Sequence, residues 1–226
     1  MSHVFRIAGA VLSRDITLSF RSGGGWFYAL FFFAVFTALA AIAFGPSLEA
    51  LASAAPAAIW LAAALAMQFA AADLFESDMN DDSLRAFAAE HSGLFPYWLA
   101  KAGVLALTAA TPMIIAAPFF LSMLGVSFAQ GGGIAMLLLI GAPAMICLSV
   151  LTSALASGLR AGGLLATVIA APFLAPVLIF GVSAAKIVLA GGGVFSPETL
   201  ILGAFSMFMT AATPNFVIAA LRVSLE

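Results

Sequence analysis

The spacing of charged residues constrains this chain more than anything else in it. Five windows pass without a single Asp, Glu, Lys or Arg: 22–48, 50–72, 102–159, 161–185 and 199–221. A helix needs about 20 apolar residues to cross a hydrocarbon core of about 30 Å, and every one of these windows is long enough. The window 102–159 has room for two spans, with Gly125 to Gly133 (GVSFAQGGG) supplying the turn between them. The expectation is an all-α, polytopic membrane protein with six transmembrane helices near 26–44, 56–73, 98–124, 134–157, 164–187 and 200–221. Residues 1–226 are read as a single transmembrane domain. Composition agrees: 64% of residues are hydrophobic and 8% charged, against roughly a quarter charged in a soluble domain.

Six passes bring both termini to one side, and the positive-inside rule selects which. With the N-terminus cytoplasmic, Arg6, Arg14, Arg21, Arg85, Lys101, Arg160 and Arg222 lie on cytoplasmic segments or helix ends, and only Lys186 lies outside. Both termini are therefore expected on the cytoplasmic side. A cleaved signal peptide ending near Ala38-Leu39-Ala40 is the competing reading of the start. It fits badly, because the apolar run from Trp26 is too long for a signal core and too far from the N-terminus.

Residues 3–21 read as an amphipathic helix lying in the interface. Arg6, Ala10, Ser13, Arg14, Thr17 and Arg21 share one face, and Val4, Ile7, Val11, Leu12 and Leu18 the other. Asp15 breaks this pattern, and a basic tail that merely sets topology is the alternative. Ser22-Gly23-Gly24-Gly25 then ends the helix, and Trp26 and Tyr28 anchor the first span.

The remaining polarity is concentrated between the second and third spans. Asp73, Glu76, Asp78, Asp81, Asp82 and Glu90 are six of the ten carboxylates, all within residues 73–93. Asn80, Asp81 or Asp82 can cap a short helix beginning Ser83-Leu84-Arg85, on which Leu84, Phe87 and Ala88 share a face and which Gly93 can end. Apolar side chains on a cytoplasmic helix call for a partner, and a solvated loop is the plainer alternative. Asp78-Met79-Asn80-Asp81-Asp82 imitates the start of a calcium loop. An EF-hand needs Gly next and Glu at loop position twelve, where this chain has Ser83 and Ala89.

Other chemistry is excluded more simply. Neither Gly-rich turn, 131–133 or 191–193, precedes the Lys-Ser or Lys-Thr of a Walker A loop, so no nucleotide site is expected. Eight scattered Lys and Arg make no nucleic-acid surface. Cys147 is alone in an apolar run, so no disulfide framework exists. An intramembrane hydrolase would need a base beside Ser149 or Cys147, and no His or Asp occurs mid-span. An ion-coupled transporter would carry charges mid-membrane, whereas Asp73, Lys101, Lys186 and Arg222 sit near span ends, where they can snorkel. Ser149, Ser153 and Ser157 give the fourth span a small packing face, and Gly158 to Gly163 (GLRAGG) reads as a tight cytoplasmic turn.

Short motifs spread along the chain carry a resemblance. They are Ala55-Pro56 with Ile59-Trp60-Leu61-Ala62-Ala63; Leu74-Phe75 leading to Asp78, Asp81, Ser83 and Leu84; Ala100-Lys101; and Arg160-Ala161-Gly162-Gly163-Leu164-Leu165. Pro172 with Pro176-Val177-Leu178-Ile179-Phe180, and the ending Ala219-Ala220-Leu221-Arg222-Val223-Ser224, complete the series. In this order the chain resembles the CcmB family, the ABC-2-type permease-like membrane subunit of the cytochrome c maturation transporter. The resemblance implies a partner ATPase, CcmA, which would carry the ATP. It also implies membrane partners CcmC and CcmD and, indirectly, the haem chaperone CcmE, with haem as the handled substrate and no cofactor held by this chain. Docking of the ATPase is expected on Asp78, Asp81, Asp82, Ser83, Leu84, Arg85 and Phe87. Where the family commonly has Asp-Gly-Ser-Leu-Glu this chain has Asp81-Asp82-Ser83-Leu84-Arg85, which alters the charge there. His3 and His91 fall on the cytoplasmic side, away from a periplasmic haem, and Trp26, Trp60 and Trp98 form no Trp-rich haem motif.

Overall fold

The computed structural model describes residues 2–21, 25–80, 83–89, 93–157 and 162–225, and among these every regular element is helical. Helix α1 (Ser2–Arg21) precedes the first span, α2 (Gly25–Phe44), and the second, α3 (Leu48–Ala71). Two short helices follow, α4 (Glu76–Asn80) and α5 (Ser83–Ala89). The third span is built from α6 (Leu94–Leu105), a π-helical turn (Ala106–Ala110) and α7 (Thr111–Met123). The remaining spans are α8 (Phe128–Ser157), α9 (Gly162–Leu189) and α10 (Pro197–Ser224). Among the described residues six helical stretches are long and apolar enough to cross a membrane, as the charge-free windows require. The protein is therefore a multi-pass, all-α membrane protein.

Its surface is inverted relative to a soluble fold. Ile42, Leu48, Ile115, Phe119, Leu139, Ile179, Met207 and Phe208 all face outward. Hydrocarbon is as good a solvent as a core for such side chains, while every backbone polar group must be paired within the helix. The interior is organised on α8, along which α9 and α10 both pack, with α2 lying along α3 and α1 along α6. Trp60 on α3 is completely buried, its indole held between two backbones. A Cβ at Gly141 of α8 would lie 2.7 Å from its Cη2, and one at Gly181 of α9 would lie 2.6 Å from its Cε2. Phe32 and Phe69 stack at 4.3 Å between α2 and α3, and Phe33 meets Phe120 of α7 edge-on at 5.4 Å.

Prolines and glycines account for most of the boundary differences. The second span begins at Leu48, eight residues ahead of the expected Pro56, because Ser47 caps it, accepting from the Ala50 N–H at 3.4 Å. Ahead of Pro112 the third span widens into the π turn. Proline has no N–H and would crowd the carbonyl a turn back; in the π turn the Ala106 carbonyl accepts both the Thr111 N–H and, at 2.8 Å, the Thr111 hydroxyl. The turn between the third and fourth spans is shorter than Gly125–Gly133: Gly125 takes it, at φ +78°, and α8 is already helical at Phe128. Gly131, Gly132 and Gly133 are thus helix rather than loop. Gly131 seats the backbone against Pro118, where a Cβ would be 3.0 Å from Cα, and Gly133 seats it against Val188, at 2.9 Å. The expected Gly191 turn is present, at φ +85°. Ser149 and Ser153 are buried on the small face of α8 and Ser157 half-buried, and Cys147 is a buried packing thiol. Ser22 to Gly24 and most of the GLRAGG turn, with Arg160, lie outside the described residues.

The close approaches around Trp60 generate a contrast. Gly141→Val must displace the indole, an overpacking cost of about 1–3 kcal/mol. Gly132→Ala meets nothing within 4 Å and removes a flexible helix residue. Thermal unfolding in detergent should place the first variant several degrees below the parent and the second at or above it. Equal midpoints would mean that the Trp60 slot is not tight.

Candidate functional site: a buried ionic cluster beneath the loop after the second span

The polar stretch after α3 folds back onto its own chain. Asp78, in α4, is completely buried, and its two oxygens receive donors from three other elements. Oδ1 accepts from Arg14 Nη2 of α1 and from Ser83 Oγ of α5 at 3.4 Å. Oδ2 accepts from Tyr97 Oη at 2.6 Å and faces Lys101 Nζ at 2.7 Å, both on α6. Lys101 also pairs with Asp15 Oδ2 at 2.6 Å, and Arg14 Nε donates to Asp15 Oδ1 at 2.9 Å. Two cations and two carboxylates therefore neutralise one another, with side-chain exposures of 1% for Asp78, 3% for Lys101, 10% for Asp15 and 36% for Arg14. Burial opposes the Arg14 charge, but its hydrogen bonds to Asp78 and Asp15 outweigh that and raise its pKa above the usual value.

Aromatic rings close the site. Tyr97 is stacked by Phe87 at 5.1 Å and flanked by Phe75 at 5.9 Å, and the Lys101 ammonium lies 5.3 Å from the Tyr97 ring centre. In such surroundings each charge is worth keeping only while its partners stay. Removing one member strands the others and costs about 3–5 kcal/mol.

Three sequence expectations change here. Lys101 does not snorkel: it lies two turns inside α6, buried among counter-charges. Asp15, the anomaly on the basic face of α1, is the acid that Lys101 requires. Leu84, expected to seek a partner protein, is itself completely buried, and Phe87 is half-buried against Tyr97. The apolar face of α5 is thus satisfied by its own chain. Leu84→Asp would damage folding before it reported on docking.

The structure brings together Asp78, Ser83, Leu84 and Phe87 of the expected docking set, joins Arg14 to them, and leaves Arg85 exposed on α5. Asp81 and Asp82 lie outside the described residues, as do Glu90 and His91. Of the α1 arginines, Arg6 is exposed, while the side chains of Arg21 and His3 are not described. The buried face of α1 is Ala8 and Val11, with Leu12 beside Gly103 of α6. A cavity of about 460 Å³ opens next to the cluster between α3, α4 and the end of α8, with Gln68, Asp73, Glu76, Asn80 and Ser153 on its wall. The hydroxyl of Thr152 reaches Gln68 Oε1 there at 2.9 Å. Asp73 and Glu76 place two carboxylates on this wall, which oppose the approach of an anionic group. Among the described residues no group of three His, Cys, Asp or Glu could hold a metal ion.

Comparison with known proteins covers nearly the whole chain. The family described as "CcmB protein" matches residues 6–224. A protein of Bradyrhizobium diazoefficiens named "Heme exporter protein B" is 36% identical over 96% of this chain and 98% of its own length. The protein of that name from Pseudomonas aeruginosa is 32% identical over 99% of both, and that from Escherichia coli K12 is 30% identical over 94% of this chain and 96% of its own. An amphipathic first helix, six spans and a folded loop after the second run through the matched region, and the chain belongs to the CcmB family.

Proposed function

We propose that this chain is the membrane permease subunit of a haem-export complex, driven by a separate ATPase and serving the maturation of c-type cytochromes. The observation that carries this reading is the family match over residues 6–224, with relatives named for haem export along nearly their full length. The physical reading supports it. The chain offers six apolar helices and no Walker A loop, so energy must come from another subunit. The only charge-rich segment between spans is 73–93, and the folded part of it stands at the end of the bundle shared by α1 and the C-terminal end of α8. In this reading that end faces the cytoplasm of a bacterial inner membrane. CcmA is the ATPase seated there, CcmC and CcmD are membrane neighbours, and CcmE receives the haem. The whole chain acts as one permease domain, with α1 lying in the interface against lipid.

Geometry changes which residues are expected to touch the ATPase. Asp78 and Leu84 face inward, so contact falls to the outward side of α4 and α5, where Glu76, Ser77, Asn80 and Arg85 are exposed. Asp81 and Asp82 continue the same segment in sequence. The complex purified from native membranes through a tag on this chain should contain the ATPase and hydrolyse ATP, and the isolated chain should not. Replacing Glu76 and Asn80 together by Arg should lower ATPase retention about tenfold, equivalent to about 1.4 kcal/mol, without changing abundance. Hydrolysis by the chain alone would end the permease reading, and undiminished retention would move the dock elsewhere.

Orientation has its own test. In a Cys147→Ser background, Asn80→Cys and Phe128→Cys, both exposed at opposite ends of the bundle, should react with an impermeant maleimide from opposite faces. Phe128→Cys should react in spheroplasts and Asn80→Cys only in inverted vesicles. Labelling from the same face would contradict the six-span topology.

A further inference from the structure

The ionic cluster ties into one group elements that packing joins only in pairs, α1 on α6, α5 on α6 and α4 on α5. Helix α1 packs along α6, with Leu12 against Gly103, yet its only charge contacts among the described residues run through Arg14 and Asp15 to Asp78 and Lys101. Helix α4 is held from the other side by the same two α6 groups, Tyr97 and Lys101. Helix α5 is attached through Ser83 to Asp78 and through Phe87 to the Tyr97 ring. Asp78 is bonded to all three of α1, α5 and α6.

We propose that Asp78 is the positioning residue of the cytoplasmic segment, locking α1, α4–α5 and the third span into one body that moves as a unit. A push on the exposed side of α4–α5 then reaches the bilayer as a displacement of the third span together with α1. This rests on the reading of α4–α5 as the surface that receives the push. The third span is suited to be moved there, because above Lys101 it is interrupted by the π turn and Pro112, a weak point between the clamped half and the rest. Charge balance is the condition of the lock. With Arg14, Asp15, Asp78 and Lys101 in place the sum is zero, and any single neutralisation leaves a buried net charge.

That condition yields a test on the full-length chain in native membranes. Cysteines replace Leu12 and Gly103 in a Cys147→Ser background, and their cross-linking by a short bifunctional maleimide reports whether α1 is seated on α6. Asp78→Asn or Lys101→Met should reduce the cross-link about tenfold or more. Asp15→Asn combined with Lys101→Met keeps the neutral pair Arg14–Asp78 and should restore it close to the parent level. Haem content of c-type cytochromes should follow the same order, with the ATPase still retained by the single variants. An unchanged cross-link in the single variants, or a double variant no better than Lys101→Met, would overturn the lock. Loss of the cross-link with cytochrome assembly intact would overturn its transmitting role. Failure of the haem-export reading registers separately, as c-type cytochromes that survive deletion of the whole chain.

Discussion

A carboxylate with no access to water holds one end of this protein together. Asp78 is tolerable in its position only because Arg14, Ser83, Tyr97 and Lys101 surround it with donors, and Lys101 is tolerable only because Asp15 balances it. The hydrophobic effect cannot do this work in a bilayer, where lipid tails solvate a leucine as well as another helix does. Helices α2, α3 and α8 are fixed by shape, through the Trp60 slot and the ring contacts of Phe32, Phe33, Phe69 and Phe120. Helix α1, which is not among the six stretches long and apolar enough to cross, is seated on α6 through Leu12 and pinned there by charge.

These two kinds of fastening divide the molecule. In the apolar part, close packing is bought with small residues, and the lining of glycine and alanine lets backbones approach until an added methyl would collide. In the polar part, geometry is set by hydrogen-bonded charges that admit few alternatives. The proposed role, a permease driven from outside the membrane, needs both: a body in which helices can shift, and a rigid handle by which one of them is gripped.

The number of spans was legible because hydrocarbon permits so few solutions; a charge-free run of about 20 residues has nowhere else to go. Helix ends were less so. Gly131 to Gly133 look like a turn to rules learned from water, where glycine loosens a helix, but in this bundle all three are helical, and Gly131 and Gly133 are contact points on Pro118 and Val188. Lys101 looked like a snorkelling residue because its distance from a span end was visible and its partners, 86 residues away on α1 and 23 away on α4, were not. The signal that could have found the cluster was Asp15, an acid on an otherwise basic helix face. Leu84 and Phe87 share one face of a short helix, as their spacing predicts, but periodicity cannot say whether that face meets a partner or its own chain.

The pairwise coupling between Arg14 and Asp78 tests this account most directly. Stability is measured for the parent, Arg14→Gln, Asp78→Asn and the double variant, by unfolding in a mild detergent, and the departure from additivity is taken. Contact across the cluster predicts a coupling of about 1–3 kcal/mol, with the double variant less damaged than the two single losses summed. Strict additivity, within about 0.3 kcal/mol, would mean that α1 and α4 do not meet through these charges, and the buried cluster could not be what holds that end of the protein together.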